Sequence, residues 1–203
     1  VTVDLPCEDG AATFDLYADM VCAALANVGA DVVLVGHSMG GHTVALVADR
    51  RPVRHVVYLC GVVPQLGQSI VDQLDSDPEM LNPAWQHGVS EPDEHTRTAW
   101  VDFDVAQRLM FHDCDAETAR LAFSRLRPQA LYLQTLPLSL TQFPCVPTTY
   151  VVCNDDQLLR PTWSRRVAHE RLGARVVELP GSHSPFLSRP ASVAEQLLGV
   201  ASQ

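Results

Sequence analysis

The chain has 203 residues, enough for one well-buried domain and few for two, and 47% of them are hydrophobic. Its formal net charge of −10 excludes charge-driven nucleic-acid binding as a main role. Lysine is absent, which excludes a Walker phosphate loop, a Schiff-base enzyme and any catalytic lysine.

Val1–Leu5 reads as a short strand closed by Pro6. The spacing of Phe14, Tyr17, Val21, Ala24 and Leu25 predicts a helix over Ala11–Val28 with its terminus at Gly29. Asp31–Val35 is a continuous apolar run, as in a strand buried on both faces of a parallel sheet. A helix at Met39–Arg50 and a strand at Arg54–Cys60 follow, so the alternation indicates an α/β fold. From Val63 to Cys145 no buried strand is evident. Pro64, Pro78, Pro83 and Pro92 punctuate its first half, and helices are expected at Asp104–Met110, Ala116–Arg127 and Ala130–Leu138, with Asp113 or Asp115 as a cap. The alternation resumes with strand Thr148–Cys153, helix Pro161–Arg171, strand Ala174–Leu179 and helix Ala191–Ala201. One domain is expected over 1–203, with residues 64–145 inserted as a helical cap. That segment holds twelve acids and five arginines.

The most informative segment is Gly36-His37-Ser38-Met39-Gly40-Gly41, which follows a buried strand and opens a helix. A serine in so tight a strand-to-helix turn adopts strained backbone angles, and the flanking Gly36 and Gly40 are expected to be needed for space. The turn would hold the Ser38 hydroxyl above the sheet and put the Met39 amide at a helix N-terminus, as an oxyanion donor. A serine nucleophile requires a base and an acid that orients it. Functional groups collect at the C-terminal ends of parallel strands. There, Asn154-Asp155-Asp156 offers an acid, and Pro180-Gly181-Ser182-His183 offers a base.

Three motifs together resemble the α/β-hydrolase superfamily: the G-x-S-x-G turn, the run from Asp156 to Pro161, and Gly181-Ser182-His183-Ser184-Pro185-Phe186-Leu187. The chain is most similar to small bacterial members akin to plant methylesterases and hydroxynitrile lyases. The resemblance implies a mostly parallel sheet flanked by helices, ester hydrolysis without a cofactor, and a triad of Ser38, Asp156 and His183. Within that family the acid begins a D-x-x-x-x-P run, which selects Asp156 over Asp155. Ser184 stands where hydroxynitrile lyases of this kind have a lysine, which disfavours cyanohydrin cleavage. An earlier strand ending in a His-Gly loop, the family's second oxyanion donor, has no match. From this, further residues are expected before Val1, and the 203-residue chain is expected to be a weak or inactive esterase.

His37 is expected on the pocket wall. Trp85, Trp100, Phe103 and Phe111 are expected either to line the substrate pocket or to form the core of the cap. Asp102-Phe103-Asp104 and His112-Asp113-Cys114-Asp115 read as helix caps and solvated acids rather than metal ligands, so no metal is expected. The six cysteines contain no C-x-x-C pair and read as free thiols of a reducing cytoplasm. No run approaches the ~20 apolar residues of a membrane span. A single isoleucine and the replacement of lysine by arginine fit a GC-rich bacterial genome. The expected substrate is a small neutral or cationic ester, with no nucleic-acid or membrane partner, and the expected state is a monomer or homodimer. Rival readings on the same scaffold are a ligand-binding or catalytically silent protein, an acyltransferase, or a C–C bond hydrolase.

Overall fold

The apolar β-branched runs form strands and the amphipathic runs between them form helices. The structure, a computed structural model, describes residues 1–202. In chain order the first elements are α1 (Phe14–Ala24), β1 (Val33–His37), α2 (Gly40–Arg50), β2 (His55–Leu59) and α3 (Ile70–Ser76). A 3₁₀ turn (Pro83–His87), β3 (Arg97–Thr98), α4 (Phe103–Met110), α5 (Ala116–Ser124), β4 (Gln129–Ala130) and a second 3₁₀ turn (Tyr132–Thr135) follow. The chain closes with β5 (Thr148–Cys153), α6 (Pro161–Glu170), β6 (Arg175–Leu179), α7 (Pro185–Ser188) and α8 (Pro190–Ala201).

Four strands make one parallel sheet in the order β1-β2-β5-β6, with Val33 opposite His55, Val56 opposite Thr148 and Thr149 opposite Arg175. Alternation along the strands sends Val56, Tyr58, Tyr150 and Val152 to one face, in a core shared with α1, α2 and α6. Val57, Leu59 and Val151 point to the other face, against Val193 and Val200 of α8. Parallel pairing brings the C-terminal ends of β1, β2, β5 and β6 to one edge, and the site lies there.

The segment between β2 and β5 divides between two cores. Ile70, Met80, Leu133, Leu138 and Leu140 join the main core. Val105, Leu109, Met110, Phe111 and Ala119 of the α4–α5 pair form a separate cluster. The short β3 and β4 pair antiparallel with each other.

Several boundaries differ from the sequence expectation. Val1–Leu5 forms no strand: among the described residues β1 pairs with β2 alone, and residues 1–5 join no strand, the Leu5 carbonyl accepting locally from Cys7 N–H at 2.8 Å. Val35 on the outer strand β1 is accordingly 40% exposed. Helix α1 starts after Thr13, whose hydroxyl accepts from Leu16 N–H, and stops at Ala24. Arg51 then takes the freed carbonyls of Leu25, Val28 and Gly29. No α-helix forms over Ala130–Leu138: Gln129–Ala130 is drawn into pairing with Arg97–Thr98, and a 3₁₀ turn follows at Tyr132–Thr135. Helix α3 was not anticipated, although its capping box, Ser69 with Asp72, is visible in the sequence.

Candidate active site

Strand β1 ends at His37 and α2 begins at Gly40, so Ser38 sits in the turn between them with φ +50°, in the left-handed region. Its carbonyl accepts from Val62 N–H at 2.8 Å and from Gly41 N–H at 3.0 Å, which fixes the turn against the end of β2. A Cβ on Gly36 would lie 2.6 Å from the Gly40 carbonyl oxygen and 2.8 Å from Val44 Cγ2. Gly36 is therefore required for close approach, as expected. Gly40 is not: a Cβ there meets nothing within 4 Å, and the crowding falls on Gly41, packed against the Tyr58 ring and the backbone at Val62. Met39 is the N-cap of α2, and no side chain caps this helix. Its amide stands at the positive end of the helix.

The acid and base expected from the sequence, Asp156 and His183, follow β5 and β6. Asp156 Oδ1 accepts from the amides of Leu158 (2.8 Å) and Leu159 (2.9 Å), which leaves Oδ2 to His183 Nδ1 at 2.7 Å. Both side chains are buried. Asp155 points elsewhere: its Oδ2 accepts from Gly181 N–H at 2.9 Å, and its own N–H donates to the Gly181 carbonyl at 3.2 Å. Gly181 has φ +124°, a conformation that favours glycine. The neighbouring aspartates thus divide their tasks. Asp155 ties the two loops together, and Asp156 meets the imidazole. His183 Nε2 is buried and has no hydrogen-bond partner among the described residues.

His37 has a role that sequence reasoning missed. Its Nε2 donates to the His183 carbonyl at 2.8 Å, and its ring lies 4.8 Å from the His183 ring and edge-on to Phe186. Burial, then the neighbouring His183, pushes its pKa down to about 3, so it is a neutral brace. His42 packs against Phe14 with ring centroids 4.8 Å apart, and burial lowers its pKa to about 3 as well.

A cavity of about 660 Å³ opens beside these groups. Ser38, Met39 and His183 line it, together with His37, Trp85, Trp100 and Phe111. The aromatic alternatives therefore do not exclude each other: Trp85, Trp100 and Phe111 are cavity wall and also part of the α4–α5 cluster. Phe103 is core alone, edge-on to Phe123 beneath Arg120. The lining contains no carboxylate, and its formal charges are Arg125 and Arg127. The acids of residues 64–145 thus lie outside the cavity. Another hollow, of about 630 Å³, is lined by Asp77, Arg166 and Arg171 and contains none of the site residues.

One group of metal-ligand type surrounds the pair: donor atoms of Cys60, Asp156 and His183 lie within 4.8 Å of one another. Hydrogen bonding to Cys153, then burial, raises the Cys60 thiol pKa well above its usual value. That thiol is protonated, and the Asp156 and His183 donor atoms are already paired with each other, so the set is poorly suited to a cation. All six cysteines are free. Asp102 caps α4 and Asp115 caps α5. Asp113, the other candidate cap, instead accepts from Ser182 N–H and Ser188 Oγ.

Known proteins place this geometry in context. A model described as the alpha/beta hydrolase family matches residues 1–196. Alpha/beta hydrolase nvfD of Aspergillus novofumigatus is 26% identical over 186 residues, covering 86% of this chain and 72% of that protein. Methylesterase 2 of Arabidopsis thaliana is 24% identical over 181 residues, covering 84% and 69%. Among solved structures, a pyrethroid hydrolase from Sphingobium faniae JZ-2 superposes with a TM-score of 0.78 at 21% identity, over 98% of this chain and 84% of that one.

Proposed function

The chain belongs to the alpha/beta hydrolase family, in its methylesterase-like branch, and on that premise we propose that it is a serine hydrolase cleaving a carboxylic ester through an acyl-enzyme. One observation carries the reading. His183 has Nδ1 bound to buried Asp156, and its Nε2 has no partner, in the cavity that Ser38 also lines. Ser38 Oγ attacks the ester carbonyl, and His183 Nε2 takes the serine proton. Asp156 holds the ring in the tautomer with hydrogen on Nδ1. The Met39 amide stabilises the oxyanion at the start of α2. His183 returns the proton to the departing alkoxide, and water then releases the acid. No step calls for a cofactor.

Residues 64–145 act as the cap that shapes the pocket. The apolar wall of Trp85, Trp100 and Phe111 favours an ester with a hydrophobic body. Arg127 of the lining is paired with Asp4 and Glu8, and the charge of Arg125 favours a neutral ester over a cationic one. The six free thiols suit a reducing compartment such as the cytoplasm.

The test is labelling with a fluorophosphonate, followed by peptide mapping. Stoichiometric labelling of the peptide containing Ser38, abolished in Ser38→Ala, is the expected result. Folded wild-type protein that takes up no label would overturn the proposal and favour a ligand-binding protein on the same fold.

A further inference from the structure

The turn between α4 and α5 reaches across the molecule to the loops that hold Asp156 and His183. His112 Nε2 donates to the carbonyl of Asp155 at 2.9 Å, one residue before Asp156. Asp113 Oδ2 accepts from the amide of Ser182 at 3.2 Å, one residue before His183. The same oxygen accepts from Ser188 Oγ at 2.8 Å, at the end of α7, and lies 3.5 Å from Arg189 Nε. Two adjacent side chains therefore grip the immediate neighbours of both members of the hydrogen-bonded pair. Asp113 brackets His183 from either side. A Cβ on Gly181 would stand 2.9 Å from Asp113 Oδ2, so the loop is closely packed on the carboxylate.

Stability alone explains this poorly. The Asp113 side chain is 13% exposed, and its Oδ1 is buried without a partner among the described residues. A carboxylate half unpaired in the interior is a weak stabiliser. Burial opposes its ionisation, yet the hydrogen bonds from Ser182 and Ser188 hold its pKa below the usual carboxylate value. The arrangement instead resembles the outer hydrogen bonds that orient a working histidine.

We propose that Asp113, assisted by His112, is a positioning residue that sets the orientation of His183 against Asp156 and couples it to the cavity wall. Phe111 lines the cavity and immediately precedes the pair, so the wall and the imidazole loop share one turn. The catalytic consequence rests on the hydrolase reading; the orientation of the imidazole does not. A misalignment of the base of about 1 Å costs on the order of 10²-fold in rate.

Two readouts test this. The first is turnover of a short p-nitrophenyl ester across pH. Asp113→Ala should lower kcat between about tenfold and 10²-fold with a much smaller change in KM, and should displace the pH limb of kcat/KM. Asp113→Asn keeps an acceptor oxygen and should restore most of the rate. The second is the far-downfield proton resonance of the His183 Nδ1–H···Asp156 bond, which needs no turnover. It should broaden or shift in Asp113→Ala, and should persist in Asp113→Asn and Ser38→Ala. Thr13→Ala, which removes the distant cap of α1, serves as the stability control: it should lower Tm without moving either readout. If Asp113→Ala does not fold, His112→Ala and Ser188→Ala should each produce a weaker form of the same change. An Asp113→Ala resonance identical to wild type overturns the inference, as does an equal fall in kcat in Thr13→Ala. Wild-type protein that turns over no ester defeats the hydrolase reading, while the resonance still decides the positioning role.

Discussion

The turn that carries Ser38 is built from consecutive residues, Gly36 to Gly41, whereas the corner that holds His183 draws on residues 112, 113, 155, 156 and 188. The first is a steric device. A strand enters, a helix leaves, and the absence of a Cβ at Gly36 lets the backbone close tightly enough to put Ser38 at positive φ. The second is a hydrogen-bonded assembly of loops far apart in the chain. A local device fails when its space is filled, and an assembly fails when one of its bonds is removed. The two regions should therefore respond to different mutations.

The largest effects should come from the groups proposed to react. Ser38→Ala and His183→Ala should each lower p-nitrophenyl ester turnover by about 10³-fold or more with the fold intact. In the assembly, Asp156→Asn should cost about 10²-fold or more, and Asp155→Asn less than about tenfold, because asparagine can still accept from Gly181 N–H. Equal losses in the two variants would erase the division of tasks between them.

In the steric device, Gly36→Ala should destabilise by about 1–3 kcal/mol in urea unfolding and reduce turnover, since its Cβ meets backbone that cannot yield. Gly40→Ala should change stability by no more than about 0.5 kcal/mol. The reverse order would relocate the crowding.

Acid should loosen the packing beside the turn. His42 has a folded pKa of about 3 against 6.5 for the free side chain, so the unfolded chain binds more protons between those values. Stability present above pH 6.5 is lost as the pH falls from there towards 3, by about 2 kcal/mol at pH 5 from this residue. His42→Gln should therefore show a smaller drop in urea midpoint between pH 7 and pH 5 than wild type. The smallest effects belong to the aromatic wall of the cavity: Trp85→Ala, Trp100→Ala and Phe111→Ala should change relative kcat/KM among esters of different acyl length several-fold. Unchanged ratios in all three would remove these rings from the substrate pocket.

The sequence by itself determined the parallel sheet and the turn around Ser38. Buried strands announce themselves by continuous apolar runs, and a G-x-S-x-G turn is a short-range steric pattern. It also brought forward Asp156 and His183 as partners, through strand ends and family motifs, and the structure has them hydrogen-bonded at 2.7 Å. Only the tertiary structure decided the rest. Val1–Leu5 has the composition of a strand, but a strand exists only when a neighbour accepts its backbone groups. Asp113 and Asp115 look alike as caps, and it is packing against Gly181 and Ser182 that sends Asp113 to the His183 loop. The sequence points His37 to the pocket wall and leaves Trp85, Trp100 and Phe111 between wall and core; only packing gives His37 the His183 carbonyl as acceptor and makes the three rings both wall and cluster. Hydrogen bonds such as Asp113 with Ser182, 69 positions apart, and His37 with His183, 146 positions apart, leave no period or spacing in the chain, because nothing local depends on them.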